Sequence, residues 1–321
     1  MEFKHTFHVF VDNFSTTYKL LVYRLIVMAV TVGLSCAVVI PTLNNILGTA
    51  QFEELSKTFS ELWADIIALN TDTLHEKLQA VLDAMRQFKG VLSEKSSLVA
   101  VAGVCLSLVY LIDRFLVGIG NYVTGALLND RMVMHAKSSF TFTLFKNIKA
   151  ALLYSVIYAP IAFAYDVLCL VIMWAIISVG LKSVSIALIK IFLIAALFIV
   201  FSAIKFTFTT DWLPALIHSK KNNRNAIAYT FSRRGKHTGN VFSNALVMKL
   251  IFIAINVAAL LFTFGAGILL TLPATYLMQI SYNFVNYFDA NKLKYFVDEY
   301  TVIGPKKEKP LTREEFFKGD D

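Results

Sequence analysis

Four side chains in this sequence stand where they are hardest to solvate: Asp166, Lys190, Asn256 and Gln279 each interrupt a long apolar run. A carboxylate at the centre of a membrane-crossing helix costs about +3 kcal/mol on insertion scales, so Asp166 is expected to face a bundle interior, water or a basic partner rather than lipid. Pro160, six residues earlier, frees backbone groups that could line the same cavity. Two kinds of chemistry remain open for Asp166: a structural polar contact, or a proton or solute site. Lys190 is expected to snorkel outward. Asn256 and Gln279 are expected to face each other across the last hairpin and to share an interhelical hydrogen bond worth ~0.6 to 2 kcal/mol. Asp113 and Arg114 form a candidate interfacial charge pair. As neighbours on a helix they point to different faces and need separate partners.

Reaction signatures are missing from the sequence. It contains no H-E-x-x-H, G-x-S-x-G, Walker loop or G-x-G-x-x-G. Cys36, Cys105 and Cys169 lie far apart inside apolar stretches, which suits packing rather than a disulfide framework or a zinc site. His5 and His8 are three apart but lack a third ligand, and His75, His135, His218 and His237 lie in polar segments where headgroups or solvent would meet them. A lipid-modifying reaction would need Asp113, His135 or Asp166 to converge. No catalytic residue, metal or cofactor is expected.

The elements that position these residues follow from hydropathy. Of the 321 residues, 57% are apolar and 16% charged, too little polar surface for a water-soluble body of this size. Residues 250–288 contain no Asp, Glu, Lys or Arg; at ~1.5 Å per residue that is enough for two crossings of a ~30 Å core, with Gly265-Ala266-Gly267 at the turn. The sequence therefore predicts an all-α polytopic membrane bundle of about six transmembrane helices, with interfacial amphipathic helices and an outer helical hairpin. The predicted spans are 20–41, 96–118, 150–180, 184–206, 243–264 and 268–288; four spans with two re-entrant segments are the rival topology.

Charge orients the bundle. Residues 205–249 hold eight Lys or Arg against the single acid Asp211, and the net charge is +8. These charges gather beside apolar runs rather than in a stripe, which argues for the positive-inside rule and against nucleic acid. The expected segments are a cytoplasmic amphipathic opening at 1–19, an amphipathic cytoplasmic connection at 119–149, a basic cytoplasmic segment at 207–242 and a cytoplasmic tail at 289–321. Both termini then lie inside a bacterial-type cytoplasmic membrane. Lys220, Lys221, Arg224, Arg233, Arg234 and Lys236 are the expected contacts to anionic lipid at ~1 kcal/mol per charge near the surface, and Trp212 with Pro214 is the expected interfacial anchor. Gly118 and Gly120 read as positions of close helix approach.

Residues 42–95 differ in kind, with eight carboxylates against five basic side chains and no run that could cross a bilayer. Phe52, Leu55, Phe59, Leu62 and Ile66 share one helical face, and Leu74, Leu78, Val81, Met85, Phe88 and Leu92 another. Asn70-Thr71-Asp72 separates them, and Thr73 with Glu76 predicts a capping box. This extracytoplasmic hairpin could pack on itself and on the membrane surface, or receive a membrane-protein partner.

An internal echo links the halves of the chain. Thr6-Phe7-His8-Val9-Phe10, Thr141-Phe142-Thr143-Leu144-Phe145 and Thr230-Phe231-Ser232-Arg233-Arg234 each precede an odd-numbered span. With the short amphipathic openings at 3–14 and 140–148 leading into hydrophobic hairpins, the chain resembles a loose class of bacterial multi-pass membrane proteins similar to the membrane domains of glycerophosphodiester phosphodiesterases. The resemblance implies a membrane-domain fold and carries no functional residue; the catalytic domain of some such proteins has no counterpart in these residues. The leading functional expectation is a non-enzymatic membrane protein that organises or assists a membrane complex. A permease for a small solute or lipid is the alternative.

Overall fold

The structure, a computed structural model, describes residues 2–68, 73–178, 184–232 and 236–304. The described chain is almost entirely helical: α1 (Glu2–Asp12), α2 (Ser15–Leu47), α3 (Ala50–Ile67), α4 (Leu74–Glu94), α5 (Ser96–Met134), α6 (Phe140–Ser178), α7 (Val184–Thr209), α8 (Trp212–Ile217), α9 (Asn223–Ser232), α10 (Lys236–Phe262) and α11 (Ile268–Ala290). A two-residue ladder closes it, β1 (Tyr295–Phe296) against β2 (Val302–Ile303), antiparallel with Phe296 opposite Val302. The Asp298 carboxylate accepts from the N–H groups of Tyr300 and Thr301, at 2.9 and 2.8 Å, and so fixes the turn between the strands.

Among the described residues five helices are long and apolar enough to cross a membrane: Ser15–Asn45, Ser96–Met134, Phe140–Ser178, Phe192–Ile217 and Thr238–Phe262. The chain is a multi-pass membrane protein on that physical ground. Their exposed faces carry Ile26, Val101, Leu170, Trp174, Phe192 and Leu261. Lipid can cover such surface, whereas water would oppose it.

The sixth predicted span, 268–288, is the helix α11, but it falls short of the other five in apolarity. From Thr275 onward most of its side chains, Tyr282, Asn286 and Phe288 among them, are buried in protein instead. The expected turn between the last two helices forms as read. Phe264 (φ +50°) and Gly265 (φ +92°) take the left-handed conformation, and the Gly265 N–H reaches back to the Leu260 carbonyl at 2.9 Å.

Two other boundaries need correction. The predicted connection at 119–149 is mostly helix, because α5 runs unbroken to Met134 and α6 starts at Phe140. At ~1.5 Å per residue the 39 residues of α5 extend about 58 Å, nearly twice a hydrocarbon core. Its lower hydropathy beyond Leu116 signals burial in protein, since residues 117–128 are buried on every face. Pro160 lies inside α6 without ending it. The basic segment at 207–242 is likewise divided among the end of α7, α8, α9 and the start of α10.

The chain divides into two compact units. The first contains Met1–Val27, Arg114–Ala162 and Ile199–Asp321. Its core gathers Val123 and Leu128 of α5, Tyr154 of α6, Leu213 of α8 and Leu277, Phe284 and Phe288 of α11. Glycines bring these helices together. A methyl on Gly125 would lie 2.9 Å from Leu213, 3.0 Å from Ile217 and 3.1 Å from Phe284, so α5, α8 and α11 meet at that point. One on Gly120 would lie 2.6 Å from the Tyr23 ring, and one on Gly118 2.8 Å from Ser155. A neighbouring cluster joins Phe206 of α7, Ala245, Met248 and Phe252 of α10 and Tyr282 of α11.

The second unit contains Met28–Asp113 and Phe163–Phe198. Its most extensive packing is the α3/α4 hairpin, where Leu62, Val81, Ala84 and Val91 are buried and the Phe52 and Phe88 rings lie 5.9 Å apart. The predicted capping box is not made. Thr73 has no side-chain cap bond, and its hydroxyl instead donates to Asp65 across the hairpin at 2.8 Å. The Asn70-Thr71-Asp72 turn lies outside the described residues.

Candidate functional site

The intramembrane polar residues find partners that periodicity alone did not name. Asn256 does not meet Gln279. Its carboxamide oxygen accepts from Thr271 Oγ1 at 2.7 Å, while its nitrogen donates to the Phe252 carbonyl at 2.8 Å. Gln279 Oε1 accepts from Lys249 Nζ at 2.9 Å. The reason is register: the two helices pair about residue 264, so 256 meets 271 and 249 meets 279, which lies about two helical turns further from the turn. Lys249 therefore belongs among the polar residues within a span, and the sequence reading missed it although it falls inside the predicted range 243–264. Its ammonium also lies 5.5 Å from the Phe206 ring centroid, and Lys205 is close enough for the two like charges to act on each other.

Asp166, in the second unit, accepts from the Tyr110 hydroxyl at 2.6 Å, and the Tyr110 ring packs 6.1 Å from that of Phe163. The carboxylate is half-buried on α6. Asp113 and Arg114 are both half-buried; Asp113 is the last α5 residue of the second unit and Arg114 the first of the other. Lys190 is half-buried on α7.

The predicted anionic-lipid contacts separate. Lys220 and Arg224 are exposed, as such a role requires, and Lys220 takes the left-handed conformation, φ +49°, in the link between α8 and α9. Lys221 sits 3.7 Å over the Tyr229 ring, so its charge is partly used inside the protein. Arg233 and Arg234 lie outside the described residues, as does the Lys236 side chain.

Several residues assigned to the interface are instead internal. Trp212 is buried, 5.3 Å from the Tyr154 ring and 6.0 Å from that of Tyr158, and Pro214 is buried beside it. The short helix α8 is thus a core element rather than a surface anchor. His218 Nδ1 lies 3.1 Å from Asn129 Oδ1, and its ring is 4.7 Å from that of Phe288; burial lowers its basicity. His5 lies 3.2 Å from the Tyr295 hydroxyl, and burial, against the pull of Asp289, lowers its basicity too. His135 packs 5.7 Å from the Phe296 ring.

A polar network therefore runs through the first unit. Tyr295 donates to Asp289 at 2.8 Å, Tyr229 to Asn291 at 2.7 Å, Asn286 to Asp211 at 3.1 Å, and Ser219 pairs with Tyr287 at 2.5 Å. Tyr276 donates to Asn121 and lies under Arg24, whose guanidinium carbon is 4.2 Å from the ring centroid. At the base of α5, Arg131 makes a two-pronged ion pair with Asp12, at 2.9 and 3.3 Å, that ties α1 to it. These contacts satisfy buried polar groups and lock helices.

The remaining candidate is a surface. The apolar face of α3 is wider than α4 can cover. Leu62 is packed inside, but Phe59 (57% exposed), Trp63 (57%), Ile66 (44%) and Ile67 (68%) stay open at helical spacing. Met85 of α4 is exposed as well. The Lys77 ammonium pairs with Glu61 across the hairpin; that hydrogen bond lowers the pKa of Glu61 and raises that of Lys77. Among the described residues no three metal-ligating side chains come together. No family model matches the chain, and neither a curated protein nor a solved structure is detectably similar to it.

Proposed function

We propose that this chain is a non-enzymatic multi-pass membrane protein that organises or assists a complex in its membrane by docking a partner on the α3/α4 hairpin. The observation that carries the reading is the open face of Phe59, Trp63, Ile66 and Ile67 on a helix that already buries its adjoining apolar side against α4. Glu53, Glu54, Glu61 and Asp65 stand on the same helix against one basic residue, Lys57. The surface suits a partner that presents an apolar ridge flanked by Lys or Arg. The hairpin is read as extracytoplasmic, with both termini on the cytoplasmic side of a bacterial-type cell membrane and anionic lipid against Lys220 and Arg224.

Purification of the whole chain in mild detergent tests the reading, with a photo-crosslinker at position 59 and the Trp63→Glu/Ile67→Glu variant beside it. One discrete crosslinked species that the variant loses is the expected result. Crosslinks to lipid alone, or the same species from the variant, would remove the hairpin from the role.

A permease is the second reading, favoured by the Asp166 carboxylate held within an apolar helix by Tyr110. It requires flux into proteoliposomes that falls with Asp166→Asn. A lipid-modifying enzyme is the third reading; Asp166 accepts from Tyr110 and His135 packs against Phe296.

A further inference from the structure

Residues 253–272, the far half of the α10/α11 hairpin, contain no buried side chain. The near half is held by the body of the first unit, where Met248 and Phe252 of α10 and Tyr282 of α11 pack with Phe206 of α7. Beyond Phe252 the two helices continue as a pair, joined by the Thr271 to Asn256 hydrogen bond at 2.7 Å. Their exposed side chains there are apolar, among them Ile255, Val257 and Leu261 on α10 and Leu269 and Leu272 on α11.

The tip is built for a medium without water. Phe262 is 84% exposed and Phe264 wholly exposed, and residues 250–288 carry no charge. The Thr263 hydroxyl is spent on the turn itself, donating to the Ala259 carbonyl and accepting from the Gly267 N–H, each at 2.6 Å. The N–H groups of residues 265–271 all end on acceptors within residues 260–267. A reversal closed on itself in this way suits hydrocarbon, which offers backbone groups no partner. The α2/α3 and α4/α5 links differ, with Asn44, Asn45, Glu94 and Lys95 at or beside them.

The apolar face is also short. On α10 exposed apolar side chains run from Val247 to Phe262, about 22 Å of helix. Before Val247 the exposed positions are Gly239, Asn240 and Ser243, while Val241 and Ala245 are buried. On α2 and α6 exposed apolar side chains run from Val22 to Leu43 and from Leu152 to Ile177, ~32 and ~38 Å of helix, enough to cross a core of about 30 Å. The α10 helix is long enough to cross only if residues with a polar outer face are counted.

We propose that the α10/α11 hairpin is re-entrant: it enters the bilayer near Val247 and Lys249 and ends in the hydrocarbon, about 8 Å short of the opposite headgroups, with Phe262 and Phe264 against phospholipid acyl chains. Both ends of the hairpin then lie on one side of the membrane. Lys249 stands at the edge of the hydrocarbon, where a charge costs less than at its centre. This lipid-facing surface is separate from the α3/α4 hairpin.

The test uses the full chain in phosphatidylcholine nanodiscs, open to water on both faces, with Cys36, Cys105 and Cys169 changed to Ala. Phe262→Cys is compared with Asn240→Cys and Gly48→Cys, all at exposed positions, so each variant should keep the Tm of the Ala background. A thiol reacts as its thiolate, which hydrocarbon disfavours; Phe262→Cys should therefore take up a water-soluble maleimide at least ~10-fold more slowly than the other two. Bimane coupled to Phe262→Cys in detergent, before reconstitution, should be quenched more by a nitroxide near the end of the acyl chain than by one on the headgroup. The proposal is overturned if Phe262→Cys reacts as fast as Asn240→Cys, since the tip then emerges into water. Protection without nitroxide quenching also overturns it, because protein and not lipid would then cover the tip.

Discussion

The two units solve the same problem of helix packing by different means. In the first, helices interlock through polar and aromatic contacts. Tyr276 meets Asn121 and Arg24, Tyr229 meets Asn291, Asn286 meets Asp211, and glycines at 118, 120 and 125 let the helices approach closely. In the second, most side chains outside the hairpin are apolar and many are exposed, and Gly33, Gly90 and Gly103 have nothing within 4 Å of where a methyl would stand. Outside the hairpin its polar contacts include Tyr110 to Asp166 and Lys95 to the Asn45 carbonyl. Where lipid bounds a helix, no neighbour need fit it closely. Where protein bounds it, every polar group requires a specific partner.

That contrast yields a graded set of outcomes. The largest concerns the Asp12–Arg131 pair, whose arginine side chain is only 9% exposed. Asp12→Ala strips the partner from a buried guanidinium and should lower stability by about 3–5 kcal/mol. A thermal scan in detergent would read it, and an unchanged Tm would mean that α1 is not locked to α5.

The next compares two glycines on one helix. Gly125→Leu must displace Leu213, Ile217 and Phe284 and should destabilise by about 1–3 kcal/mol, while Gly103→Leu, facing open space, should fall within about 0.5 kcal/mol of the parent. Equal losses at the two positions would erase the distinction between the units.

The smallest effect is set by pH. Burial holds His5 and His218 below the ordinary imidazole value of 6.5, so both are favoured as neutral groups in the fold. The unfolded chain then binds protons first on acidification. Their contribution is complete above about pH 6.5 and is lost as pH falls through that value toward the folded ones. The parent should lose more Tm between pH 7.5 and 5.5 than His218→Gln. An equal fall in both would exclude His218 as a source of the dependence.

Much of the helical framework was legible in the residues, and particular errors show why the rest was not. The expected span 96–118 stops short because the stretch after it, with Asn121, Thr124 and two glycines, resembles a watery connection when judged by hydropathy. Those residues are buried by α2, α6, α8 and α11. Trp212 beside Pro214 has the composition of an interfacial anchor, yet two tyrosines of α6 enclose it. Lys249 was passed over because it borders the uncharged stretch, although counting helical rise from Gly265 would have placed it inside the span.

The sequence by itself determined the medium and the local structure. Its apolar runs are too long and too uninterrupted for water, and Gly265 permits the left-handed turn that reverses the last hairpin. Tertiary structure alone decided the partners: Thr271 for Asn256, Lys249 for Gln279, Tyr110 for Asp166, and open space for Phe59. Helical periodicity fixes which side chains share a face. The offset and rotation between helices fix which of them meet, and those are set by packing across elements far apart in the chain.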